Sequence, residues 1–201
     1  MKTLCIDTAH KHLVIVLCEN GTIVKSLSQV CWKRQSEMMF PNLIQLMEEA
    51  KWNVEDIDQV VITDGPGSYT GVRIAMSAAK VLCTQKNIPL YTISTLALYA
   101  GLQEDVFVMM DARSKRAYCA HYQNGMLKNE ECIMTLDEIQ AYLDHHHGVV
   151  CGDADLIQVN CEQVDLANHF VQLLPYAKKV ENIHTLVPRY LKDNDAYMVK
   201  S

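Results

Sequence analysis

The sequence has no Cys-x-x-Cys pair, no GK[ST] loop ending, no Gly-x-Gly-x-x-Gly spacing and no apolar run approaching ~18 residues. Each absence excludes a class. Eight cysteines (Cys5, Cys18, Cys31, Cys83, Cys119, Cys132, Cys151 and Cys161) without a paired spacing rule out zinc-ribbon and thioredoxin readings. No transmembrane helix is expected, and the N-terminal MKTLCIDT lacks a signal-peptide apolar region. A cytoplasmic chain with reduced, mostly buried thiols is the expectation. Cations are also in deficit: 18 Lys and Arg against 24 Asp and Glu give a net charge of −6 in 201 residues. That balance argues against strong autonomous binding to nucleic acid, which needs clustered Lys and Arg.

What is present centres on Gln59 to Asn87. Val60, Val61 and Ile62 read as a buried strand, and Gly65-Pro66-Gly67 forces a sharp turn. Ser68 or Thr70 then caps a helix whose Val72, Ala75, Met76, Ala79, Leu82 and Cys83 recur at helical spacing. Strand, glycine turn and helix bring backbone N–H groups together where anions bind. In one reading Asp7, Thr8, Gly65, Gly67 and Ser68 form phosphate-facing loops. In the other the glycines let helix and sheet pack closely, and the chemistry alone favours this one.

Ahead of that stretch, Thr3–Asp7, Leu13–Cys18 and Thr22–Val30 read as strands, with Asn20-Gly21 as a hairpin turn. Ser36–Trp52 reads as a helix, with its regular part expected to begin or kink near Pro41. Its Met39, Leu43, Leu46, Met47 and Ala50 share a face, and Phe40 and Ile44 widen it. An arc this wide exceeds what one-sided packing needs. Met39, Leu43, Ile44 and Met47, with Val72, Ala75, Met76 and Ala79 of the next helix, are therefore candidate partner-interface residues. On that expectation Leu43→Glu or Ala79→Arg would weaken a complex and leave the fold intact.

Leu90–Ile93 is a strand, and Ser94 or Thr95 caps a helix to about Gln103. The polar break at 103–105 divides an N-terminal lobe, 1–104, from a shortened second lobe with tail, 105–201. There Val106–Asp111, Ala117–Tyr122 and Met126–Cys132 are strands, with Asn124-Gly125 as a second hairpin turn. Thr135-Leu136-Asp137-Glu138 is a capping box. A strand within 148–152 and a helix over Val164–Lys178, interrupted at Pro175, complete the pattern. Three strands, helix, strand, helix thus recurs. Arg113, Lys115 and Arg116 suit a solvated turn better than a phosphate site. His145-His146-His147 suits a helix C-terminus, since metal ligands on a helix need i,i+4 spacing.

IDTA, QSEMMFPNLI, GPGSYTGVRI, PLYTIST, DARSKRAY and VPRYLK occur together and in order. This resembles the TsaB (YeaZ) family over essentially the whole chain, most specifically in GPGSYTGVR. The resemblance implies an α/β, actin-like ASKHA fold of two lobes. It implies a scaffold without catalysis of its own, bound through its first-lobe helices to a TsaD-type catalytic subunit in the threonylcarbamoyladenosine modification of tRNA. A TsaE-type ATPase completes the complex. Nucleotide and metal then belong to partner subunits, tRNA is met only through the complex, and the isolated chain can pair with itself. The positions matching the catalytic paralogue's HxxxH metal pair are Thr95 and Tyr99, neither a metal-binding imidazole. Asp193-Asn194-Asp195-Ala196 resembles its aspartate motif only superficially. Gln35 stands where family members commonly have His. The competing readings are an ATP-dependent phosphotransferase and a glycopeptidase-like metalloprotease.

Overall fold

The computed structural model describes residues 1–191 except 32, 147 and 162. The aspartate-containing stretch 193–196 lies outside the described residues. Strands β1 (Lys2–Asp7), β2 (His12–Glu19) and β3 (Thr22–Val30) form an antiparallel meander. Asn20 and Gly21 turn β2 into β3 with φ of 51° and 80°, the left-handed pair that a tight hairpin needs. Helix α1 (Gln35–Ala50) leads to β4 (Gln59–Thr63), then α2 (Tyr69–Lys86), β5 (Leu90–Ile93) and α3 (Thr95–Ala100). β1, β4 and β5 are mutually parallel neighbours.

The second half holds β6 (Asp105–Arg113), β7 (Arg116–Gln123), β8 (Met126–Leu127), β9 (Cys132–Thr135), α4 (Leu136–Leu143), β10 (Val149–Gly152), α5 (Leu166–Leu173) and β11 (Lys178–Lys179). Its sheet runs β10-β6-β7-β8, with β9 also on β7. The first sheet runs β11-β5-β4-β1-β2-β3. The recurrence is therefore geometric. β6 is to β7 and β10 what β1 is to β2 and β4: antiparallel to one and parallel to the other.

Three apolar clusters set the layers. α1 and α2 cover one face of the first sheet, with Met39, Val72, Ala75 and Ala79 against Leu4, Ile15 and Ile62. α3 and α5 fill the space between the sheets. α4 covers the outer face of the second sheet through Ile139. Burying a side chain such as Met39 (0% exposed) contributes about 1.5–3 kcal/mol, which is why these faces lie inward.

Several expectations need correction. α1 begins at Gln35 and carries Pro41 inside it on an exposed turn, where water can satisfy the carbonyl that loses its donor. Asn42 Nδ2 also donates to the Met38 carbonyl at 2.7 Å, an extra bond on that turn. α3 ends at Ala100 rather than near Gln103. The third strand of the second lobe is broken into β8 and β9, and Glu131 between them pairs with Arg189. The helix expected over Val164–Lys178 is α5 alone. Leu174–Tyr176 is a 3-10 turn around Pro175, and Lys178–Lys179 pairs with β5. The chain thus returns to the first sheet after leaving it.

His145 and His146 do lie just past the end of α4. His146 Nδ1 donates to the Tyr142 carbonyl at 2.7 Å, and its ring stacks on Tyr142. His147 is outside the described residues. The capping box forms as read: Thr135 Oγ1 accepts from Glu138 N, and Glu138 Oε2 accepts from Thr135 N at 2.7 Å.

Candidate functional site

The C-terminal ends of the parallel strands in the first sheet converge on a cleft of about 650 Å³ between the lobes. Its lining includes His10, Lys33, Gln35, Ser68, Tyr69 and Arg113. Asp7 lies beneath it, fully buried, accepting from Thr63 Oγ1 at 2.5 Å and from Ala9 N at 2.9 Å. Thr8 Oγ1 donates to the Gly71 carbonyl at 2.6 Å and accepts from Ala75 N at 3.2 Å. Ser68 caps α2, accepting from Gly71 N, and its own N–H donates to the Ala9 carbonyl at 2.8 Å.

The glycine loop is built for close packing. A Cβ on Gly67 would sit 2.5 Å from the Ala9 carbonyl oxygen, and one on Gly65 would sit 2.5 Å from that of Arg189. Of the five phosphate-loop candidates, Asp7, Thr8 and Gly65 therefore serve contacts within the fold. Gly67 and Ser68 face the cleft, but both are also committed to the loop after β1.

Burial raises Asp7 above the usual carboxylate range despite the Thr63 and Ala9 hydrogen bonds, and among the described residues its Oδ2 has no hydrogen-bond partner. A raised carboxyl loses stabilisation as pH climbs from the unfolded value through the folded one. Asp7→Asn keeps one oxygen for Thr63 and Ala9 and removes that loss. We expect its stability to stay within about 1 kcal/mol of the parent at pH 7 and to gain on the parent as pH rises from 4, measured by urea unfolding. A loss of several kcal/mol at pH 7 would instead mark an ionised, paired Asp7.

Three buried polar side chains, His10, Tyr99 and Asp153, join the two lobes beside this floor, with half-buried His12 and Lys11 against them. His10 Nε2 lies 2.8 Å from Asp153 Oδ2, and His10 Nδ1 lies 3.0 Å from the Tyr99 hydroxyl. His12 Nδ1 reaches the same hydroxyl at 3.1 Å. Lys11 Nζ lies 2.5 Å from Asp153 Oδ1, and Asp111 N donates to Oδ2 at 2.8 Å. The network is satisfied when His10 donates from Nε2 to Asp153, Tyr99 donates to His10, and His12 donates to Tyr99. Burial and the neighbouring Lys11 ammonium hold His12 below its ordinary value, which favours that neutral form. Burial also pushes Tyr99 well above the usual phenol range.

Thr95 is fully buried, and its Oγ1 has no hydrogen-bond partner among the described residues. The two positions that match a metal-binding imidazole pair are thus a threonine without a ligand nitrogen and a tyrosine hydrogen-bonded to two histidines. Among the described residues no group of three or more His, Cys, Asp or Glu is placed to hold a metal ion. His10, His12, Lys11 and Asp153 were not singled out from the sequence, because they lie on either side of more than a hundred intervening residues.

A second tie runs through the tail motif VPRYL, to which the sequence assigns no role. Arg189 Nη1 pairs with Glu131 at 2.5 Å, Nε with Asp64 at 3.5 Å, and Nη2 donates to the Gly65 carbonyl at 2.8 Å. Glu131 also accepts from Ser94 and from Tyr122. Gln35 has a role too. Its Nε2 donates to the His10 carbonyl at 2.8 Å, fixing the start of α1 to the loop that carries the histidines.

The interface candidates separate sharply. Met39, Met47, Val72, Ala75, Met76 and Ala79 are buried within the first lobe. They cover its own sheet and are not available to a partner. Leu43 is half-buried, and Ile44 is 56% exposed. The outward apolar groups on these helices are Phe40 (53% exposed) and Ile44 on α1, with Val81 beside half-buried Ile74, Ala78 and Leu82 on α2. Among the described residues no helix is long and apolar enough to cross a membrane.

Two lobes that share a four-strand core order, β4-β1-β2-β3 and β10-β6-β7-β8, packed around a shared helical layer with a cleft between them, define an actin-like, ASKHA-type body. Two solved structures share it: YeaZ from Pseudomonas aeruginosa, with TM-score 0.75, 19% identity and 94% and 99% of the two chains covered, and a Pseudomonas aeruginosa protein described as similar to peptidase YEAZ, with TM-score 0.79, 22% identity and 95% and 99% covered. The chain belongs to the TsaD family, tRNA N6-adenosine threonylcarbamoyltransferase, whose model matches residues 27–149, more than half of it, and its relatives place it with the TsaB (YeaZ) members. The tRNA threonylcarbamoyladenosine biosynthesis protein TsaB of Bacillus subtilis is 28% identical over 96% of this chain and 94% of its own. The protein of the same description from Escherichia coli is 30% identical over 65% of this chain and 60% of its own.

Proposed function

We propose that this chain is an accessory subunit in the threonylcarbamoyladenosine modification of tRNA, at position 37 of ANN-decoding species. It binds a TsaD-type catalytic subunit and holds it in its active form, with no turnover of its own. The observation that carries this is the exposed Phe40–Ile44 stripe on α1, next to the half-buried face of α2, in a chain of this family. Large apolar side chains spaced i,i+4 on a helix surface are suited to a helix-on-helix contact. A TsaE-type ATPase completes the assembly, and nucleotide and metal are handled by the partner subunits. Without the catalytic subunit, the same stripe pairs with a second copy of the chain about a two-fold axis.

Co-expression with the TsaD-type subunit tests this by size exclusion. We expect co-elution for the parent and a loss of affinity of at least tenfold for Ile44→Glu, whose melting curve stays that of the parent. Unchanged co-elution of Ile44→Glu, or tRNA modification that proceeds without this chain, would overturn the reading.

A further inference from the structure

The cleft between the lobes is rimmed by features that neither the fold nor the partner stripe requires. Tyr69, at the first turn of α2, stacks on Tyr190 with centroids 5.5 Å apart and rings within 15° of parallel. Both remain open to solvent, at 59% and 41%. The Arg73 guanidinium lies 4.4 Å over the Tyr69 ring, and Nε donates to the Tyr190 hydroxyl. Lys33 and Arg113 line the same cleft, and Asp111 is the single carboxylate among its lining residues. That carboxylate accepts from Arg113 N at 2.7 Å. Lys115 follows in the hairpin that projects Arg113 over the opening, a turn whose residues 113–115 are all left-handed. Lys33, Arg73 and Arg113, three of the 18 Lys and Arg in a chain of net charge −6, lie beside the exposed rings.

We propose that this rim is a docking surface for single-stranded RNA, bases stacking on the Tyr69–Tyr190 pair and phosphates meeting Lys33, Arg73, Arg113 and Lys115. Stacked aromatics flanked by cations are the recurring means of holding unpaired bases. A duplex hides its base faces and cannot use the platform. The reading that the chain serves tRNA modification supplies the physiological RNA, an unpaired loop, and the inference rests on it to that extent. Phe40 and Ile44 do not line this cleft, so different side chains test the two readings.

The test uses the full chain and a labelled single-stranded RNA of about 12 nucleotides, within the ~4–16 nucleotide sites of such proteins. Fluorescence anisotropy is read at two or more salt concentrations. We expect a Kd on the order of 10 μM near 0.1 M salt, and much weaker binding of the same sequence as a duplex. Tyr69→Ala is expected to weaken the single strand roughly five- to hundredfold. Arg113→Gln is expected to lower the slope of log K against log salt by about 0.7. Thermal melts of both variants check the fold, and since both side chains are exposed we expect parent-like curves. Equal binding of duplex and single strand, no binding by the full chain, or parent affinity in Tyr69→Ala would each overturn the inference. Co-elution of the parent with the catalytic subunit, measured separately, reports on the accessory-subunit reading and is untouched by those outcomes.

Discussion

Replacing Ala79 with arginine is expected to unfold the protein, at a cost of at least about 4 kcal/mol against a typical total of 5–15 kcal/mol. Ala79 is 1% exposed, one helical turn from fully buried Ala75, and packs in the cluster that contains Val60, Ile62 and Leu90. A guanidinium there would displace α2 from the sheet or leave a charge unpaired among aliphatic groups. Ser77→Arg, two residues away on the exposed side of α2, should cost no more than about 0.5 kcal/mol. Thermal melts and soluble yield of the two variants make the comparison. A parent-like melt for Ala79→Arg would mean that the inner face of α2 can reach solvent, contrary to the packing described above.

That contrast marks what the sequence makes legible and what it hides. Periodicity identifies Val72, Ala75, Met76 and Ala79 as one face, and they are one face. It does not say whether the lobe's own sheet or another chain covers that face, since apolar burial looks the same in both. The sheet settles it, and Phe40, Ile44 and Val81 are left on an exposed flank. Signals confined to a few residues survive well. Asn20-Gly21, Asn124-Gly125 and the Thr135–Glu138 box each form, because their chemistry is satisfied within a four-residue window. Pro41 misleads because its penalty is local while the packing of Met39, Leu46 and Met47 spans the whole helix and outweighs it.

The cleft was legible only in part. GPGSYTG reads from the sequence as a strand-to-helix turn, and its tight approach to Ala9 and Arg189 is why glycine is required there. The polar ties around it were invisible. Asp153 meets His10 across 143 positions, and Arg189 meets Glu131 across 58. Neither pair has a spacing rule, and each depends on how the second lobe closes on the first. Arg189 in particular follows a two-residue strand, β11, too short to leave a pattern. Tyr69 and Tyr190 are likewise a pair only because the chain returns to the first lobe.

The tie through Asp153 gives the sharpest pH signature expected of this protein. Its side chain is 2% exposed, and burial alone would raise it. The hydrogen bonds from His10 and the Asp111 N–H and the Lys11 ammonium reverse that and hold it well below the usual carboxylate range. A depressed folded value contributes stability that is fully present above the unfolded carboxylate range, about 3.9, and is lost as pH falls below it. Asp153→Asn keeps an acceptor for Asp111 N but gives up the charge that Lys11 and His10 face. Breaking a buried pair costs about 3–5 kcal/mol, and less here because Lys11 is 37% exposed and can turn to water. We expect a deficit of about 2–3 kcal/mol for Asp153→Asn at pH 7 by urea unfolding, nearly constant down to pH 5 and narrowing between pH 4 and pH 3. A deficit that stays the same at pH 3 would show that the ionised carboxylate is not what holds the lobes together at this point. One that vanishes already at pH 5 would place the titrating group elsewhere.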